Sequence, residues 1–154
     1  MTTQKGILRE KMAGVFAGKD VDDRLEDLDQ VIGFKEVIPL GLVGAAAGVR
    51  VVKHFACNAT LRNAYITSYA GEATGANKPG FQLLKGQPAT AASALTAAGD
   101  IDLPTDALTA RTPLAFTLTA TSIVAGDYVY VSIEANGTPA NVEVSLILDW
   151  VFAE

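Results

Sequence analysis

The residues able to do chemistry are few, and their spacing works against it. The chain holds one histidine, His54, and one cysteine, Cys57. Together they read H-x-x-C, two potential metal ligands with no second pair to complete a tetrahedron. As a nucleophile and base they fail on geometry, because residues three apart on a strand point to opposite faces. The pair is therefore expected to be a strand histidine beside a buried cysteine. One histidine also excludes the multi-histidine metal set that an enzyme on a cupin-like barrel would need. The acidic run DVDDRLEDLDQ has the density of a calcium loop but lacks its central glycine and its twelfth-position glutamate. Asp100, Asp102 and Asp106 cluster in DIDLPTD, which reads as a loop with Asx turns around Pro104. The glycines of GLVGAAAG, Gly41, Gly44 and Gly48, lack the Lys-Ser/Thr ending of a phosphate loop and read as a turn. Asn58-Ala-Thr60 and Asn136-Gly-Thr138 match the glycosylation sequon, but no secretion signal accompanies them, and the second reads as a turn. No catalytic, cofactor-binding or metal-binding residue is assigned, and the chain is expected not to be an enzyme.

The elements that position these residues fall into two parts. Up to about residue 36 charges are dense; beyond it Gly, Ala, Thr and Val dominate. The expected division is an N-terminal arm over 1–36 and a β-sandwich domain over 37–154. In the arm, Val21, Leu25, Leu28 and Ile32 step by four, three and four, which puts them on one face of a helix. Asp20 or Asp22 suits its N-cap and Gly33 its stop. A shorter pattern, Leu8, Met12 and Val15, precedes it. Neither helix is long enough to hold in water alone, so the four-residue stripe is the candidate partner-binding surface.

The body reads as strands. In NVEVSLILDWVFAE the even positions Val142, Val144, Leu146, Leu148, Trp150 and Phe152 are all apolar, a period-two pattern with one buried face. In DYVYVSIE, Val129, Val131 and Ile133 take one face, and Tyr128 and Tyr130 the other. The Asn136-Gly137 signal between them predicts that these two strands form a hairpin. Leu114, Phe116 and Leu118 alternate in a third segment. Further strands are expected near Glu36–Gly41, Val49–Cys57, Ala59–Tyr69, Gly80–Leu84 and Ala91–Thr96. The predicted fold is all-β: an antiparallel sandwich of about eight strands, jelly-roll-like, behind an arm with short helical segments.

Composition narrows the partners. The chain is 49% hydrophobic and 19% charged, with a net charge of −5. No basic stripe is available for a nucleic-acid backbone. The run VIPLGLVGAAAGVRVV is too short and too interrupted to span a bilayer, so no membrane partner is expected. No signal peptide is evident in MTTQKGILREKMAG.

From LTAAGDIDLPTDALTARTPLAF to the closing strand, the sequence resembles small tailed-phage virion proteins with jelly-roll bodies. A Thr/Leu strand, the turn Ala125-Gly126-Asp127, an aromatic/Val strand, a Gly-containing connection and a long closing strand carry that resemblance, which extends over about residues 37–153. It implies a capsid decoration or cement protein, trimeric, made in the host cytoplasm and bound to the major capsid protein on the capsid exterior. It implies no cofactor. The other reading is a non-enzymatic binding module, such as a receptor- or carbohydrate-binding sandwich or a fibre domain, and it predicts exposed aromatics with polar partners.

Overall fold

The computed structural model describes residues 33–43, 47–135 and 141–153. The stripe Val21, Leu25, Leu28 and Ile32 and the Asn136-Gly137 turn lie outside the described residues. Ten strands follow one another: β1 (Phe34–Val43), β2 (Gly48–His54), β3 (Ala59–Thr67), β4 (Gly80–Gly86), β5 (Ser93–Ala94), β6 (Ile101–Asp102), β7 (Leu114–Ala115), β8 (Ser122–Ile123), β9 (Tyr128–Glu134) and β10 (Val142–Phe152).

They form two five-stranded antiparallel sheets. The first runs β1-β10-β3-β7, with β8 also on β3; the second runs β2-β9-β4-β5, with β6 also on β4. β7 and β8 pair with opposite ends of β3, at Tyr65–Ile66 and Ala59–Thr60. β5 and β6 do the same along β4. Each couple is one strand interrupted by a loop, so the ten elements occupy eight positions, four in each sheet. The chain crosses between sheets after β1, β2, β3, β6, β8 and β9, which is the connectivity of a jelly roll. The sandwich expected from the alternation is thus the observed fold. β5 and β7 are shorter than their patterns suggested, and β6 and β8 were not anticipated.

One expectation fails. β9 and β10 are not a hairpin: β9 pairs with β2 and β4, whereas β10 pairs with β1 and β3. Both strands do carry one apolar face, as read, with Val129, Val131 and Ile133 on one and Val142, Val144, Leu146 and Leu148 on the other all buried. Those faces lie in opposite sheets, so consecutive strands share one core without sharing a ladder.

Of three bulges, one of them in β2 between Val51 and Lys53, two adjust the inward faces of the first sheet. Between Asp149 and Trp150 the register of β10 on β3 slips by Arg62. Leu61 and Ala64, three apart, are therefore both buried. In β1 the slip lies between Pro39 and Gly41, and Gly41 takes φ +68°, a conformation natural to glycine. Leu40 and Val43 both reach the core as a result. Trp150 is buried among Phe34, stacked at 4.6 Å, and Phe55, edge-on at 5.1 Å. Phe152, expected on the buried face, instead sits 37% exposed at the end of the strand, edge-on to Trp150 at 5.2 Å.

Candidate interaction surfaces

The residues with chemical potential are held in structural roles. His54 ends β2 with its ring 4.6 Å from that of Tyr128. Cys57 lies in the following turn and is exposed, not buried as expected, because β2 stops three residues before it. Asp100 and Asp106 each accept from a backbone amide, but neither contact is the Asx turn expected around Pro104, and Asp102 lies in β6 rather than in a loop. Asp106 accepts from Asp102 N at 2.9 Å, and Asp100 accepts from Thr117 N at 2.6 Å. At Ala125-Gly126-Asp127, the Asp127 carboxylate accepts from Val124 N at 3.0 Å, and Gly126 N donates to Phe55 O at 2.8 Å with φ +92° at Gly126. Asn58 Oδ1 accepts from Ala125 N at 3.0 Å, so the first sequon asparagine holds this turn. Gly41 belongs to β1 and Gly48 opens β2; Gly44 lies outside the described residues. Among the described residues no group of three or more potential metal ligands occurs, and no helix is long and apolar enough to cross a membrane.

Two surfaces stand out instead. The first is the narrow side where β1 and β2, the edge strands of the two sheets, face each other. Its interior is closed by polar side chains. Lys53 Nζ pairs with Glu36 at 2.7 Å and lies 4.9 Å above the Trp150 ring. Arg50 donates to Leu40 O at 2.7 Å, covering the bulge carbonyl. Outward, β1 and β2 each present apolar side chains on the outer face of their own sheet. Val37 and Leu42 on β1 and Val49 and Val51 on β2 are between 58% and 63% exposed. They account for four of the seven large apolar residues that are exposed among those described. Val51 is the ladder partner of Tyr130, and the Tyr128 and Tyr130 rings lie 6.2 Å apart on the same outer face. Both tyrosines are half-buried, and the pair is continuous with the β2 edge.

The second surface is an open groove of about 350 Å³ across the outer face of the first sheet. Ile147 and Ser145 of β10, Thr67 of β3 and Val37 of β1 lie along it; Glu143 of β10 borders it, with Tyr69 and Arg111 from two loops. Those loops are zipped together. Arg111 N donates to Ser68 O at 2.8 Å, Glu72 N to Leu108 O at 2.7 Å and Leu108 N to Glu72 O at 2.8 Å. Gly71, at φ +78°, lets them meet: a Cβ there would lie 2.8 Å from Ala110 N and 2.9 Å from Leu108 O. The contact sets the Arg111 guanidinium 4.5 Å over the Tyr69 ring, with Nη2 donating to the Tyr69 hydroxyl at 2.8 Å. Neither surface was identified from the sequence. The first had a signal, since VRVV places valines on both phases of one strand. The second draws on four separate segments and had none.

No protein-family model matches the chain, and no curated protein matches it. Among solved structures the chain is similar to one from the cyanophage Pam1 capsid asymmetric unit. The TM-score is 0.47 and the identity 15%, over 79% of this chain and 86% of that chain.

Proposed function

We propose that the protein is a virion structural component that decorates the exterior of a phage head and has no catalytic activity of its own. The sandwich self-associates, as a trimer, through the β1/β2 side, and the arm stripe Val21, Leu25, Leu28 and Ile32 anchors it to the major capsid protein. The observation that carries the self-association is the concentration of exposed valine and leucine on two adjoining edge strands. Long edges with apolar side chains pair with other chains unless they are blunted. The remaining edges of this sandwich are blunted, because β5 and β6, and β7 and β8, are short interrupted pieces. Val37, Leu42, Val49 and Val51 each gain roughly 1–2 kcal/mol on burial. A few such side chains per copy suffice when several copies attach to one shell together. The phage assignment itself is supported by the resemblance of the C-terminal half.

Multi-angle light scattering tests the reading. The wild-type chain is expected to elute as a trimer, and Val49→Lys with Val51→Lys as a folded monomer with an unchanged strand signal in circular dichroism. A wild-type monomer that also fails to co-sediment with assembled phage shells rules the reading out.

A further inference from the structure

Arg111 is the one non-glycine residue with positive φ, at 58°, among those described. For a long side chain that backbone is strained, and glycine would occupy it without penalty. Arginine stands there nonetheless, with its guanidinium laid on a tyrosine that is 73% exposed. Strain of this kind is kept where a side chain must be presented in a fixed place. Among the described residues the presented group engages the side chain of Tyr69 alone, and Arg111 makes no ion pair with Glu143 although both border the groove. A guanidinium has five N–H donors in a planar fork matched to a carboxylate. One of its nitrogens holds Tyr69 in position, and the others stay available.

We propose that this groove binds a carboxylate-bearing saccharide, of the uronic acid class. The carboxylate would take the free side of the Arg111 fork. The apolar C–H face of a pyranose ring suits the exposed Tyr69 ring and the apolar floor at Ile147. Sugar hydroxyls find an acceptor in Glu143 and donor-acceptors in Ser145 and Thr67. The volume of about 350 Å³ and the open form suit one or two sugar units of a longer chain. The two zipped loops hold Tyr69 and Arg111 in place beforehand, so little ordering accompanies binding. Val37 of β1 borders both this groove and the β1/β2 side, whereas Val49 and Val51 of β2 lie on the other sheet, so saccharide titration and the Val49→Lys with Val51→Lys variant read the two proposals separately.

Calorimetric titration of the full chain tests it, with three probes: a tetrasaccharide alternating glucuronate with N-acetylglucosamine, its neutral counterpart chitotetraose, and tetraglutamate. The glucuronate probe is expected to bind at least about tenfold more tightly than the other two, the scale of one charge-assisted contact. Arg111→Gly is expected to remove that preference while leaving the melting temperature equal or higher, because the strain is relieved. Tyr69→Ala should weaken the same probe roughly tenfold. The proposal is overturned by absence of heat with the glucuronate probe at millimolar concentration or by tetraglutamate binding equally well. Arg111→Gly binding like wild type overturns it too, as does a lower melting temperature for that variant, which would assign the side chain to folding.

Discussion

Removing the Trp150 indole tests the architecture at its densest point. The ring is 6% exposed, stacked on Phe34 at 4.6 Å and edge-on to Phe55 at 5.1 Å. A buried tryptophan withdraws on the order of 150–250 Å² from water, worth about 4–6 kcal/mol at 25 cal/mol per Å². One term opposes this: the indole N–H is buried and finds no acceptor among the described residues. Deleting an unsatisfied donor returns roughly 1–3 kcal/mol. Loss of the aromatic contacts adds about 1 kcal/mol back. The expected net loss for Trp150→Ala is about 3–5 kcal/mol, in the range of other large-to-small core changes. Trp150→Phe keeps a ring against Phe34 and Phe55 and discards the unpartnered donor, so its loss should stay under about 1.5 kcal/mol. Urea unfolding followed by circular dichroism measures both. A loss below about 1 kcal/mol for Trp150→Ala would refute the placement of the indole in the core. A loss above about 3 kcal/mol for Trp150→Phe would refute the argument about its N–H.

Gly71→Ala should cost about 2 kcal/mol or more, because the new methyl meets two backbone atoms inside 3.0 Å at a positive φ. Gly48→Ala, with open space around it, should change stability by less than about 0.5 kcal/mol; thermal melts of the two compare them directly. Deleting residues 1–32 should leave the strand signal unchanged and sharply weaken co-sedimentation with assembled shells. The cut stops there because Phe34 is part of the β1–β10 ladder. Undiminished shell occupancy by the truncated chain would show that the arm has no anchoring role.

The alternation of Val142 to Trp150 and of Val129 to Ile133 was readable because a period of two reports which face of a strand is dry. It does not report which strand lies alongside, and the β9–β10 pairing was misjudged on that account. A turn signal between two strands fits an in-sheet hairpin and a crossing between sheets alike. β6 and β8, at two residues each, are too short to show any period. Bulges hid the phase elsewhere: Leu61 and Ala64 look out of step until Arg62 is set aside. The Arg111 conformation left no trace in the sequence, since arginine itself stands where glycine or asparagine would have announced a left-handed residue. The arm stripe remains a reading of helical spacing alone.

The place of β10 in the first sheet also governs how the chain comes to be folded. This strand lies between β1 and β3, yet it is made after every other strand. Until Val142–Phe152 has left the ribosome, β1 has no ladder partner, and the inward faces of β2, β4 and β9 have no Leu146 or Leu148 to cover them. Folding is therefore a late event that awaits contacts remote in sequence, which places it among the slow topologies. A nascent chain halted before residue 142 is a sticky intermediate with open edges, the kind of species that aggregates or engages chaperones. The rate of maturation is then set by the eleven-residue β10.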